Sequence, residues 1–163
     1  MREISTHVDI NAGASLVWDI LTDFGTYRRW NPLIPSVLGS ARRGSTIMLT
    51  QKRGAVRIGR MTTVRRTVKH VREPRELFWH SNSALESVFA SERRFQIETL
   101  PDGRVRFHQS ERFRGLAAPF LLWAGLRRDL ASSFGAMNQA LKARAERAEA
   151  EHVATRTRPG PPN

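Results

Sequence analysis

The chain has 163 residues, no cysteine, and a formal net charge of +12 from 27 basic and 15 acidic side chains. That length suits one domain whose core can enclose a pocket, and the absence of cysteine excludes a disulfide framework and thiol chemistry. The opening MREISTHVDI has no apolar run of signal-peptide length, and nothing approaches the roughly twenty apolar residues of a membrane span, so a cytoplasmic protein is expected.

The charge is unevenly placed. Between Phe24 and Arg72 lie twelve basic residues and no acid; elsewhere fifteen basic and fifteen acidic residues balance. A block of this kind raises the local concentration of anions. It suits acidic lipid, nucleic acid or an acidic protein, or it is a solvated surface in a chain with 24 arginines to 3 lysines. Aromatic residues are not interleaved with the arginines as a base-stacking platform needs, which puts acidic lipid ahead of nucleic acid.

In chain order, Ile4, Thr6, Val8 and Ile10 share one parity and predict a strand, and Leu16, Val17, Ile20 and Leu21 predict a short helix. Asp23 is placed to cap the next helical turn through its carboxylate. Pro32 pushes Asn31 out of the helical region and ends that turn. Trp30 is thereby held before a fixed corner, either as a core ring or aimed at an internal pocket. Thr46 to Thr50 and Arg57 to Val71 read as strands, with Arg53-Gly54 between them as a turn. Leu77, Trp79 and Ser81 share one strand face, Phe78 and His80 the other, and NSALES (82–87) is a polar connection.

The clearest hairpin turns at Pro101-Asp102-Gly103. On its first strand Phe89, Ser91, Arg93, Phe95 and Ile97 share a face; on its second, Val105, Phe107, Gln109, Glu111 and Phe113 do. Arg93, Gln109 and Glu111 thus fall on an otherwise apolar, inward surface. A buried charge is costly unless paired, so Arg93 and Glu111 are expected to satisfy each other, with Gln109 nearby. They are either a structural ion pair near the rim or the polar end of a ligand pocket.

A last helix is predicted from near Ala117-Ala118-Pro119, its apolar stripe made of Phe120, Trp123, Leu126, Leu130, Phe134, Met137 and Leu141. The ALKARAERAEAE stretch is expected to project into solvent, and His152 to Asn163 to be disordered. Residues 1–150 are read as one domain and 151–163 as a tail.

The order of these parts resembles one known group. A strand, two short helices ending in D-F-x-x-Y-x-x-W-N-P, a run of strands and a long final helix are similar to the START-like superfamily. Within it the polyketide cyclase/dehydrase (SRPBCC) group is nearest in pattern, over roughly residues 2 to 148. VREPRELFW (71–79), ERRFQIETLPDGRVRF (92–107) and ERFRG (111–115) are further points of contact. The resemblance implies an α+β helix-grip fold, a curved antiparallel sheet wrapped around the last helix with an apolar cavity between. It fixes no activity, since members include lipid carriers, ring cyclases, quinone-binding proteins and co-chaperones.

Catalytic machinery is sparse. The five histidines are scattered without metal-ligand spacing, and neither a phosphate-binding glycine loop nor a G-x-S-x-G elbow occurs. No metal and no cofactor is expected. Glu111 as base and Arg93 as oxyanion partner are weak catalytic candidates, because an arginine partner holds a carboxylate at low pKa. The expected function is binding of a hydrophobic small molecule (a lipid, quinone or polyketide-like compound), as carrier or sensor. Its expected lining is Trp30, Trp79, Phe89, Phe95, Phe113, Trp123 and Phe134, with Arg93, Gln109 and Glu111 at one end. The alternatives are a cyclase or dehydratase using Glu111 and Arg93, and an interaction module whose basic face meets membrane, RNA or an acidic protein.

Overall fold

The computed structural model describes residues 3–52, 61–81, 88, 90–121 and 127–156. Phe89, Trp123, the Arg53-Gly54 turn, the 82–87 connection, Gly125 and Leu126 lie outside them. Seven antiparallel strands form one sheet in the order β1-β7-β6-β5-β4-β3-β2. They are β1 (Glu3–Ile10), β2 (Ser36–Leu38), β3 (Thr46–Lys52), β4 (Met61–Arg72), β5 (Glu76–Ser81), β6 (Ala90–Thr99) and β7 (Val105–Arg114). Helices α1 (Ala14–Thr22) and α2 (Tyr27–Trp30) follow β1, and α3 (Ala118–Leu121) and α4 (Arg127–Arg156) follow β7. This is the helix-grip arrangement: α4 packs on β1, β7, α1 and α2.

The alternating strands bury the faces their parity assigns. Ile4, Val8 and Ile10 of β1, Leu77, Trp79 and Ser81 of β5, and the odd-numbered residues 91–97 and 105–113 of β6 and β7 are all buried. Phe134, Met137 and Leu141 of α4 close over them. At the β6–β7 turn Gly103 takes a φ of 83°, the left-handed region where glycine carries no Cβ penalty. Asp102 braces that turn by accepting the Arg104 N–H through Oδ1 at 3.1 Å.

The corner after α1 departs from expectation in one respect. Asp23 makes no side-chain cap. Its ψ of 76° turns the backbone so that its carbonyl accepts both the N–H (3.2 Å) and the hydroxyl (3.1 Å) of Thr26, and a 3-10 turn (Phe24–Thr26) follows. The chain does leave α2 at Asn31, in extended backbone before Pro32. The Asn31 side chain completes the corner, its Oδ1 accepting from the N–H groups of Leu33 (3.0 Å) and Ile34 (2.8 Å).

The C-terminal region differs more. Phe120, in α3, is 66% exposed, so it does not join the buried stripe of Phe134, Met137 and Leu141. The Ala/Glu/Arg-rich stretch does not simply project into solvent. Lys142 donates to the Asp9 carbonyl at 2.6 Å, Glu146 accepts the Asn11 N–H at 2.8 Å, and Glu149 accepts the Gly13 N–H at 3.4 Å. These contacts fasten the β1–α1 connection and satisfy donors at the α1 start. Helix α4 also continues to Arg156, through residues 152–156 of the expected tail.

Candidate functional site

The inner face of β6 and β7 carries the chemistry. Register sets Trp79 beside Arg93, Arg93 opposite Glu111, and Glu111 opposite Ile4, one row across β5, β6, β7 and β1. The next row is Leu77, Phe95, Gln109 and Thr6. Arg93 is 3% exposed and Glu111 4%; Nε (3.1 Å) and Nη2 (2.6 Å) of the guanidinium both donate to Glu111 Oε2. Phe134 covers the guanidinium from α4, with Cζ 4.8 Å from the ring centroid.

Three groups outside the expected lining complete the cluster, of which only Ser91 was placed on the inward face by parity. Arg66, half-buried on β4, donates from Nη2 to Ser91 Oγ at 3.4 Å. Ser91 shares the buried face of β6 with Arg93, and its hydroxyl helps to hold the Glu111 carboxyl down. Asn138 of α4 donates to Thr6 Oγ1 at 3.0 Å, beside Gln109. Parity could have found Arg66, because it alternates with Val64 and Val68. Asn138 lies one turn beyond Phe134, on the face that α4 buries.

Burial pushes the Glu111 carboxyl upward, but the charges of Arg93 and Arg66 with the hydrogen bonds from Arg93 and Ser91 outweigh it, and the group is held below its ordinary value. Burial lowers Arg66, which the charge of Glu111 partly offsets and that of Arg93 reinforces. Burial raises the Tyr27 hydroxyl, which stays neutral and donates to the Leu21 carbonyl. A carboxylate held ionised and doubly bonded to arginine is a poor general base.

Several buried polar atoms here have no hydrogen-bond partner among the described residues: Arg93 Nη1, both amide atoms of Gln109, Asn138 Oδ1 and Trp30 Nε1. Gln109 is fully buried. Trp30 is half-buried, packed at 5.0 Å against the Tyr27 ring. Around these groups Trp79 meets Phe95 at 4.9 Å, Phe95 stacks on Phe107 at 6.0 Å, and Phe113 and Phe134 are buried. Two clefts formed by described residues lie elsewhere. One of about 480 Å³ is bounded mainly by outward side chains of β4 to β7, from Arg72 to His108; another of about 170 Å³ lies between Phe78 and Arg112. No helix among the described residues is long and apolar enough to cross a membrane.

Solved structures of the same fold are found at low identity. A START superfamily protein from Mycobacterium smegmatis is 20% identical with a TM-score of 0.69, covering 90% of this chain and 98% of that one. The Zhui aromatase/cyclase from Streptomyces sp. R1128 is 21% identical with a TM-score of 0.68, covering 90% and 94%. Ara h 8.0201 is 13% identical with a TM-score of 0.65, covering 88% and 96%. At such identities the likeness is one of fold. No curated protein matches the sequence. A family model does, over residues 1–146, and on that match the chain belongs to the family described as polyketide cyclase / dehydrase and lipid transport.

Proposed function

We propose that this protein binds a hydrophobic small molecule between the sheet and α4, as a carrier or sensor, and that Arg93 and Gln109 orient it. The observation that carries this reading is the set of unpartnered polar atoms on an aromatic inner face. Leaving a buried amide unsatisfied costs about 1–3 kcal/mol, so a fully buried Gln109 with neither amide atom bonded among the described residues calls for a partner. An amphipathic ligand with an acceptor group meets Arg93 Nη1 and Gln109 Nε2, and its body lies among the rings of Trp79, Phe95, Phe113 and Phe134. In the sequence Phe89 and Trp123 belong to the same lining. Cyclase chemistry is the weaker reading, because Glu111 is already engaged by Arg93.

Native mass spectrometry of the purified protein tests this directly, with tryptophan fluorescence on titration of a fatty acid, a quinone or an aromatic polyketide as the second readout. A co-purified apolar molecule, or saturable quenching that Gln109→Leu weakens, supports it. A protein that carries nothing and responds to none of the three sinks it.

A second reading concerns the surface. Arg28, Arg29, Arg42, Arg43, Arg65 and Arg72 are exposed, lie on α2 and β4 and in the β2–β3 connection, and enter no ion pair among the described residues. Unpaired basic charge on neighbouring elements favours contact with an anionic surface, acidic lipid ahead of nucleic acid.

A further inference from the structure

We infer that the polar end of the ligand is an acid group, held as its anion between Arg66 and Arg93. The inference rests on the ligand-binding reading above and names the class of molecule that site takes. It follows from a charge count. Among the described residues, two guanidinium groups face one carboxylate: Arg93 on β6 is bonded to Glu111, and Arg66 on β4 is bonded to Ser91, two residues from Arg93 on the same strand. Arginine stays protonated in proteins, so the cluster carries one positive charge more than it can neutralise internally.

Among the described residues, the neighbouring groups do not supply the missing charge. Tyr27 is neutral and spends its hydroxyl on the Leu21 carbonyl. Asp23, whose field reaches Tyr27, is exposed to water. Ser91, Gln109 and Asn138 are neutral. Among the described residues, Arg66 holds two long bonds, both to neutral oxygens, 3.4 Å to Ser91 and 3.5 Å to the Arg65 carbonyl. Arg93 has Nη1 buried and unpartnered.

A guanidinium out of water is stabilised far more by an anion than by a neutral acceptor, and the planar fork suits a carboxylate. A ligand acid therefore completes both the charge and the donor inventory, with Gln109 Nε2 as a further donor. An alcohol or ester of the same body completes only the latter. No proton is transferred: the acid binds already ionised near neutral pH.

The test compares pairs that differ only at the head: dodecanoate against dodecanol, and 2-naphthoate against 2-naphthylmethanol, titrated into the purified protein near neutral pH. The acid of each pair is expected to bind at least about tenfold tighter, the least that a charge-assisted bond contributes. Arg66→Gln, at a half-buried position and checked for folding by circular dichroism, is expected to weaken the acids more than the alcohols, so that the gap between the members of each pair closes. Glu111→Gln, where folded, is expected to strengthen the acids, because it removes the competing carboxylate. Equal binding of acid and alcohol by the wild type, or an acid preference that survives Arg66→Gln, overturns the inference while the hydrophobic-ligand reading stands. Binding of neither member of either pair, with no co-purified molecule, overturns both.

Discussion

Arg93 and Glu111 face each other directly across β6 and β7, and both lie on the side of the sheet that α4 covers. Their burial makes the pair sensitive to losing one member and tolerant of losing both. Arg93→Leu leaves an ionised Glu111 in the interior with only the more distant Arg66, and about 3–5 kcal/mol of stability should be lost. The double variant Arg93→Leu/Glu111→Leu should recover most of it, because a desolvated ion pair gains little over well-packed apolar groups. Urea denaturation of the two single variants and the double variant checks this. A double variant no more stable than either single would show that the pair contributes more than mutual neutralisation.

The same pair sets a pH dependence. Glu111 is held below its ordinary value of 4.5, so its folded pKa is depressed. The stability it contributes is therefore fully present above that ordinary value. It is lost as pH falls through the lower folded value, since the unfolded chain then binds the proton first. Asp9, Asp102 and Glu146 are depressed in the same direction by Arg106, Arg104 and Lys142, but Asp102 is exposed and the other two are half-buried, so solvent and salt screen all three far more than Glu111. Stability measured below pH 4.5 should thus fall more steeply in the wild type than in the double leucine variant, and high salt should not remove the difference. Parallel curves would assign the acid sensitivity to the surface carboxylates.

How much of this was legible in the sequence depends on the period each element obeys. The β6–β7 hairpin was readable because strict alternation with a large apolar majority leaves one choice of buried face. From that face the pairing of Arg93 with Glu111 follows. Arg66 obeys the same rule on β4, but basic residues fall on both faces there, and the register shift between Val68 and His70 breaks the alternation. Phe120 has the spacing of the buried stripe yet is 66% exposed, because helical periodicity fixes a face without saying how far along it the sheet reaches. The Asp23 cap failed for a local reason: its backbone carbonyl took the role that its side chain was expected to fill. The α4 contacts with Asn11 and Gly13 bridge more than 130 residues, and no local pattern announces them.

Those long-range contacts carry a prediction of their own. Lys142 bridges the Asp9 carbonyl and Glu146, which in turn holds the Asn11 N–H. Lys142→Met keeps the helical propensity and the aliphatic stem but removes both bonds. About 1 kcal/mol should be lost, a charged hydrogen bond discounted for its partial exposure. Amide hydrogen exchange at residues 11–14 should quicken in the variant before the rest of the sheet does. Unchanged exchange there would mean that packing of α1, not the α4 contacts, fixes the connection.

Gly135 lies inside α4 beside Phe134, and among the described residues a methyl group added there meets no heavy atom within 4 Å beyond its chain neighbours and the adjoining helix backbone. Glycine in a helix interior is less favourable than alanine by about 1 kcal/mol, so Gly135→Ala should raise the melting temperature. Gly39 is the contrasting case: its φ is 116° and a Cβ would lie 2.9 Å from the Thr46 carbonyl, so Gly39→Ala should destabilise. Thermal melts of the two variants should move in opposite directions, and a common direction would contradict the local geometry at one of them.

The basic surface makes a prediction whose signature is its response to salt. Arg42 and Arg43 sit in the connection between β2 and β3, whose Gly44 N–H is bonded to the Val68 carbonyl at 2.8 Å; that bond ties the connection to β4, which carries the exposed Lys69 and Arg65. Attraction between exposed charges is screened over about 10 Å at 0.1 M salt. If these residues meet an acidic bilayer, binding to vesicles containing phosphatidylserine should fall steeply between 50 and 200 mM salt on the order of magnitude expected for several contacts. Arg42→Glu/Arg43→Glu should abolish it with the fold and the small-molecule affinity intact, since both side chains are exposed and distant in the sheet from Glu111. Sedimentation with neutral vesicles provides the baseline. Equal, negligible sedimentation of wild type and variant with acidic vesicles would leave this block a solvated surface.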